Sequence, residues 1–177
     1  MTTMRAMIRD ATPSDAAACA ALYAPYVTDT VISFETEPPG VAEMARRIAG
    51  AHAWFVLETD GHIAGYAYAQ RFAERAAYRW SCETSIYLER GRRRTGAGRA
   101  LYETLLQRLQ EQGFCRAFAG MTLPNEASAG LHRALGFEPA GVYRRVGWKH
   151  GAWHDVAWVQ KDLRATEGCT SPPPELT

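Results

Sequence analysis

Apolar and polar residues alternate in RAMIRDA (5–11), the period of a short strand. TPSDAAACAALYAPYV (12–27) changes to helical spacing. Thr12 is placed to cap that helix, Pro13 suits its first turn, and Asp15 completes a Thr-x-x-Asp box. PPGVAEMARRIAG (38–50) predicts a second, shorter helix closed by Gly50. AWFVLETDGHIAGYAYAQRF (53–72) reads as two β-rich runs turning at Asp60-Gly61. YRWSCETSIYL (78–88) alternates and is rich in β-branched and aromatic residues, which predicts a third long strand. From Gly96 to Gln112, Ala100, Leu101, Leu105 and Leu109 recur at helical spacing, and Gly113 ends the run. FCRAFAGMTL (114–123) reads as a strand, and NEASAGLHRALGF (125–137) as a short helix stopped by Gly136. GVYRRVGWKHGAWHDVAWVQKDL (141–163) reads as a closing hairpin turning near His150-Gly151.

The order β-α-α-β-β-β-α-β-α-β-β predicts an α/β (α+β) architecture, a mixed, mostly antiparallel sheet flanked by helices. The length of 177 residues suits one domain, expected over residues 1–163. The tail RATEGCTSPPPELT (164–177) is polar and Pro-rich and is expected to be loosely ordered. Composition is that of a soluble globular protein, with 47% apolar and 22% charged residues. A net charge of +1 argues against a nucleic-acid partner. The four cysteines form no CxxC, which argues against a zinc ribbon or a thioredoxin motif and predicts free thiols in a reducing cytosol. The N-terminal MTTMRAMIRD has no apolar core of a secretion signal, and no run approaches the ~18 apolar residues of a membrane span, so a cytoplasmic protein without a membrane partner is expected. His150 and His154 flank a hairpin turn, and no metal site is assigned to them. Trp148, Trp153 and Trp158 on the same hairpin predict core packing or a dimer contact.

Arg90, Arg92, Arg93 and Arg94 break the even charge balance. They run through a loop into the helix at Gly96, where exposed N–H groups and the positive dipole end favour an anion. Gly96 and Gly98 allow close approach to the backbone, and Arg93, Arg94 and Arg99 offer charge-assisted hydrogen bonds. No Gly-x-x-x-x-Gly-Lys-Ser/Thr motif occurs, and GAGRAL stops short of a dinucleotide fingerprint. The turn alone fits a phosphate site and a solvated arginine-rich loop equally well.

Arg93-Arg94-Thr95-Gly96-Ala97-Gly98 follows the strand SIYL, opens a long helix, and precedes LPNEASAGLHRALGF. In this setting it resembles the coenzyme A site of the Gcn5-related N-acetyltransferase (GNAT) superfamily. VISFETEP (31–38), AYRWSCETSIYL (77–88), RRTGAGRALYETLL (93–106), LPNEASAGLHRALGF (123–137) and GWKHGAWHDVAW (147–158), together and in register, resemble the phosphinothricin N-acetyltransferases over residues 5 to 163.

The resemblance implies acetyl-CoA as co-substrate, with its pyrophosphate on the turn at Arg93, Arg94, Thr95, Gly96, Ala97, Gly98 and Arg99. Its pantetheine arm is expected along the backbone of Ile86, Tyr87 and Leu88, with Asn125 directed at the arm; capping the helix is the other role open to Asn125. Glu83 matches the family's proposed catalytic glutamate. A mid-strand carboxylate is costly to bury, and burial raises its pKa toward a base's working range; facing solvent or pairing with Arg79 is the structural alternative. His132 matches a group that works as acid or base, or only contacts the coenzyme. Arg75 and Tyr78 occupy the expected acceptor-binding loop, with Arg75 suited to a carboxylate, and Phe34 is expected to wall the pocket. The lysine that some relatives carry two residues before this arginine is Ala73 here, which leaves room for methionine sulfoximine or methionine sulfone beside phosphinothricin as acceptor. The expected chemistry is direct transfer to the α-amine of a small amino-acid-like molecule by a homodimeric enzyme. Strand alternation turns Cys82 away from Glu83 and leaves no cysteine argued to be nucleophilic. Peptide amines as acceptors, or coenzyme binding without catalysis, are the other two readings.

Overall fold

The computed structural model describes residues 6–91, 96–167 and 173–177. The strands are β1 (Ala6–Asp10), β2 (Ala53–Thr59), β3 (His62–Arg71), β4 (Ser81–Leu88), β5 (Arg116–Thr122), β6 (Glu138–Lys149) and β7 (Ala152–Asp162). The helices are α1 (Ala16–Asp29), α2 (Val41–Gly50), α3 (Ala97–Gln112) and α4 (Glu126–Ala134). One sheet holds the strands in the order β1-β2-β3-β4-β5-β7-β6, so the mixed, mostly antiparallel sheet expected from the element order is what forms. Only β4 and β5 run parallel, and their ladder stops after Ser81↔Arg116, Cys82↔Ala117 and Glu83↔Phe118.

Helices pack on both faces of the sheet away from its terminal β6–β7 hairpin. On one, α3 sets Leu101, Tyr102, Leu105 and Leu109 against Phe55, Leu57 and the small residues Ala67, Ala69, Ala117 and Ala119. The alanines let the helix approach the strands closely. On the other, α1 and α2 bring Cys19, Tyr23, Val27 and Met44 onto Trp54, Val56 and Tyr66. Both hairpins turn where the sequence predicts. Asp60 (φ 49°) with Gly61 (φ 83°) and His150 (φ 50°) with Gly151 (φ 75°) adopt the left-handed pairs that match strand twist.

Four expectations need adjustment. Gly50 is the last residue of α2 and stays right-handed; the chain leaves the helix at Ala51 in extended geometry. Residues 78–80 do not join β4, because 76–78 make a single 3₁₀ turn and the Trp80 indole donates to the Pro174 carbonyl. The helical run from Thr12 begins as a 3₁₀ turn, Pro13–Asp15, before α1. Residues 173–177 pack back on the domain: Thr177 N–H donates to Gln112, and Leu176 joins the core beside α3. Among the described residues, no helix is long and apolar enough to cross a membrane.

Candidate active site

The early end of the β4–β5 ladder creates the site. Glu89 N–H donates to the Ala64 carbonyl. Antiparallel alternation therefore turns the main-chain groups of Tyr87 toward β3 and those of Ile86 and Leu88 toward the gap left by β5. An open strand edge of this kind accepts an extended partner. The edge borders a cavity of roughly 230 Å³, walled on the far side by Gly120 and Met121 of β5 and by Asn125, Ser128 and His132 of the α4 segment. The Tyr26 hydroxyl reaches across and donates to the Leu88 carbonyl.

At the mouth of this gap Gly96 caps α3 with φ 79°, a conformation that suits glycine. A Cβ on Gly98 would lie 2.6 Å from Leu88 Cδ1, so α3 begins as close to β4 as a main chain allows. The first turn of this sixteen-residue helix, with its N–H groups unpaired within the helix, thus starts beside the open edge. Arg99 spends its guanidinium on Glu103, 2.8 Å away. Arg93, Arg94 and Thr95 lie outside the described residues.

His132 is buried at 4% exposure. The Ser128 carbonyl can only accept, so the 2.8 Å contact assigns the ring proton to Nδ1. Nε2 then accepts from the Tyr102 hydroxyl at 3.0 Å, and Tyr102 in turn contacts Thr84 Oγ1 at 2.7 Å. Burial lowers the pKa of the imidazole. His132 is thus a neutral ring with both nitrogens committed, and it ties α4 to α3 and β4. Asn125 Oδ1 accepts from Ser128 N–H at 3.1 Å, so the capping role is realised while the side chain also lines the cavity.

A second cavity, about 380 Å³, opens on the other side of β4. It shares Ile32, Ser85, Tyr87 and Gly120 with the first, so the two meet at the middle of the strand. Two carboxylates line it, in opposite environments. Glu35 receives a bidentate Arg47 at 2.6 and 3.0 Å and a hydrogen bond from Tyr23, and Arg47 lowers its pKa. Glu83 is half-buried, its side-chain partner is the neutral Gln70 directly across on β3, and burial raises its pKa. Two titratable groups pushed apart in this way mark a division of labour, with Glu35 held as an anion by Arg47 and Glu83 made the readier of the two to take up a proton. Arg79 does not pair with Glu83: its guanidinium stacks on Trp80 at 3.9 Å. Cys82 faces the opposite side, fully buried, with its thiol pushed up to about 12.

Phe34 lines the second cavity, its ring filling the space that a Cβ on Gly147 would need. Neither Arg75 nor Tyr78 is among the residues that line the two cavities. Tyr78 contacts Phe72, which stacks at 4.3 Å on Phe118, the register partner of Glu83. The expected residues that are described thus fall at the open edge and in the second cavity, with Arg75 and Tyr78 outside both linings.

Several residues escaped the sequence reading. Tyr102 is an α3 core position by spacing. Arg47 is an ordinary helix-surface cation by composition. Lys149 is 7% exposed and donates to the Val27 and Ser33 carbonyls at 2.6 and 2.7 Å, fastening the loop that carries Phe34 and Glu35 to the closing hairpin. Each acquires its partner from a segment far away in the chain. Among the described residues no group of three or more His, Cys, Asp or Glu side chains is placed to hold a metal ion.

The acetyltransferase (GNAT) domain model matches residues 8–158. The chain is 39% identical over 159 residues to the phosphinothricin N-acetyltransferase of Streptomyces viridochromogenes, covering 88% of this chain and 87% of that one. It is 32% identical to the L-methionine sulfoximine/L-methionine sulfone acetyltransferase of Pseudomonas aeruginosa, covering 92% and 98%. Among solved structures, the phosphinothricin acetyltransferase of Sinorhizobium meliloti in complex with AcCoA superposes with a TM-score of 0.88 at 38% identity, covering 96% of this chain and 94% of that one.

Proposed function

We infer that this chain, which belongs to the GNAT acetyltransferases, carries the acetyl group of acetyl-CoA to the α-amine of a small amino-acid-like acceptor. The acceptor class is phosphinothricin, methionine sulfoximine or methionine sulfone. The observation that carries this reading is the meeting of two cavities at Ser85, Tyr87 and Gly120, with an open strand edge on one side and Glu83 on the other. The names of the similar enzymes support the acceptor class.

The residues fit the co-substrate. The edge groups of Ile86 and Leu88 offer amide partners to an extended arm, and the start of α3 from Gly96 through Arg99, with Arg93, Arg94 and Thr95, is the proposed pyrophosphate seat. Tyr87 contributes its ring, because its main chain is spent on β3. Bound acetyl-CoA supplies the activated acetyl group as a thioester. The Ile86 N–H points into the gap and would polarise that carbonyl.

Glu83 takes the proton from the acceptor ammonium, directly or through one water, which frees the amine to attack. Arg75 and Tyr78, on the segment that leads into β4, are the proposed partners of the acceptor carboxylate, and Phe34 walls its side chain. His132 holds Ser128, whose N–H Asn125 caps, beside the coenzyme cavity. An acid role for it needs a proton that the Ser128 carbonyl already occupies. Transfer is direct, without an acyl-enzyme: the amine displaces the coenzyme thiolate, and the proton that the amine nitrogen sheds on acylation passes through water to that thiolate, so that the coenzyme would leave as the free thiol.

We also propose a cytoplasmic homodimer. Val142, Tyr143, Val146, Trp148 and Trp153 are 49–59% exposed on the terminal hairpin, an apolar surface that suits a second copy. Light scattering is expected to give twice the chain mass.

Thiol release from acetyl-CoA tests the function against phosphinothricin, methionine sulfoximine, methionine sulfone, ordinary amino acids and short peptides. Turnover of the first three is the expected outcome. Turnover of peptides alone would replace the acceptor class, and coenzyme binding with no turnover of any amine would favour a sensor.

A further inference from the structure

The wall of the acceptor cavity contains a buried hydrogen-bond donor with nothing to donate to. Trp158 on β7 lines that cavity, and its Nε1–H is buried without a partner among the described residues. Buried polar groups are nearly always satisfied, and an exception in a binding cavity points to a ligand that supplies the missing atom. Other hydroxyls of this wall have partners: Tyr23 with Ser33 and Glu35, and Tyr68 with Ser85.

The indole is held in place by design of the strand beneath it. Gly120 on β5 is the register partner of Trp158. A Cβ at Gly120 would meet indole atoms Cε2 and Cζ2 at 3.2 Å, so the ring rests on bare backbone. Cε2 is the carbon bonded to Nε1, which places the donor beside the glycine where the two cavities meet. Glu83 stands on the same face of the sheet, two strands away, on the order of 10 Å between backbones. Glu83, Gly120 and Trp158 line the same cavity, so an amino acid with its amine at Glu83 would have this wall within reach of its side chain.

We propose that the Trp158 Nε1–H donates a hydrogen bond to an oxygen on phosphorus or sulfur in the acceptor side chain. Trp158 is thereby the residue that sets a preference for oxo-bearing amino acids over aliphatic ones of the same length. The proposal rests on the acceptor reading given above and adds to it the group that reads the side chain. A buried donor discriminates strongly, because an acceptor without the oxygen leaves the donor unpaired.

The test compares kcat/KM for methionine sulfone with that for norleucine, in wild type and in Trp158→Phe, which keeps an aromatic ring and removes the N–H. The sulfone-to-norleucine ratio is expected to fall roughly tenfold or more. Gly120→Ala, which displaces the indole while leaving Trp158 intact, is expected to lower the same ratio and decides the matter if Trp158→Phe does not fold. A wild-type preference that survives in the folded variant within about twofold overturns the assignment to Trp158 and leaves the acceptor class standing. Wild type that shows no preference for the sulfone, or turns over neither amino acid, removes the acceptor class and this inference with it.

Discussion

Asp15 and Glu83 are both carboxylates drawn out of bulk water, and their surroundings are opposite. Asp15 receives both terminal nitrogens of Arg9 at 2.8 and 2.9 Å and the Thr12 N–H at 2.8 Å, and Arg9 extends to Glu58 on the neighbouring strand. Its pKa falls from 3.8 to about 2, led by the Arg9 hydrogen bond. Glu83 has a neutral amide for company, and burial moves its pKa the other way. The corner at Asp15 is built so that ionisation stabilises the fold. The wall at Glu83 is built so that ionisation costs stability and a proton is welcome. Structural and chemical carboxylates are thus separated by what surrounds them rather than by residue type.

Glu83→Gln is the widest break in this contrast. Loss of the general base is expected to lower kcat/KM by roughly 10²–10⁴. The same change is expected to raise Tm at neutral pH. A folded pKa raised above its unfolded value leaves stability intact below the unfolded value and loses it as pH rises through the folded one. Removing the charge returns that loss, and thermal melts at pH 4 and pH 8 read the difference.

Arg75→Glu sharpens the acceptor side. Reversing a charge that pairs with a carboxylate is expected to raise the acceptor KM by roughly 100-fold, with the acetyl-CoA KM little changed. An unaltered acceptor KM removes Arg75 from recognition.

Asp15→Asn gives the mirror image of Glu83→Gln. The gap between 3.8 and about 2 corresponds to about 2 kcal/mol of stability. A depressed pKa supplies that stability above the unfolded value of 3.8, and it is lost as pH falls through about 2. Urea unfolding at neutral pH is expected to show the loss, which shrinks toward pH 2, while kcat/KM stays as in wild type.

The two cavities differ in how much of them a reader of the sequence alone can recover. The coenzyme side consists of a strand edge, helix starts and small residues, and those leave local marks. Gly96 and Gly98 mark the head of α3, Asn125 marks the cap of α4, and SIYL marks the strand beside them. The acceptor side is assembled from α1, the 30–35 loop, β3, β4, β5 and β7, and its partnerships are long-range. Nothing near Arg47 announces Glu35, and nothing near Lys149 announces Val27 and Ser33. Phe34 and Glu83 were legible through resemblance, but Trp158 was legible only as an aromatic residue in a hairpin. Strand alternation did foretell that Cys82 turns from Glu83. It also carries a correction for Tyr87, whose main chain belongs to β3 while its ring belongs to both cavities.

The pH dependence of kcat/KM for acetyl transfer to methionine sulfone, in wild type and Glu83→Gln, tests the role of Glu83 most directly. An acid limb with its midpoint above the ordinary carboxylate value of 4.5 in wild type, abolished in the variant, is the expected result. The same limb persisting unchanged in Glu83→Gln would assign the proton to another group and contradict the contrast between the two carboxylates.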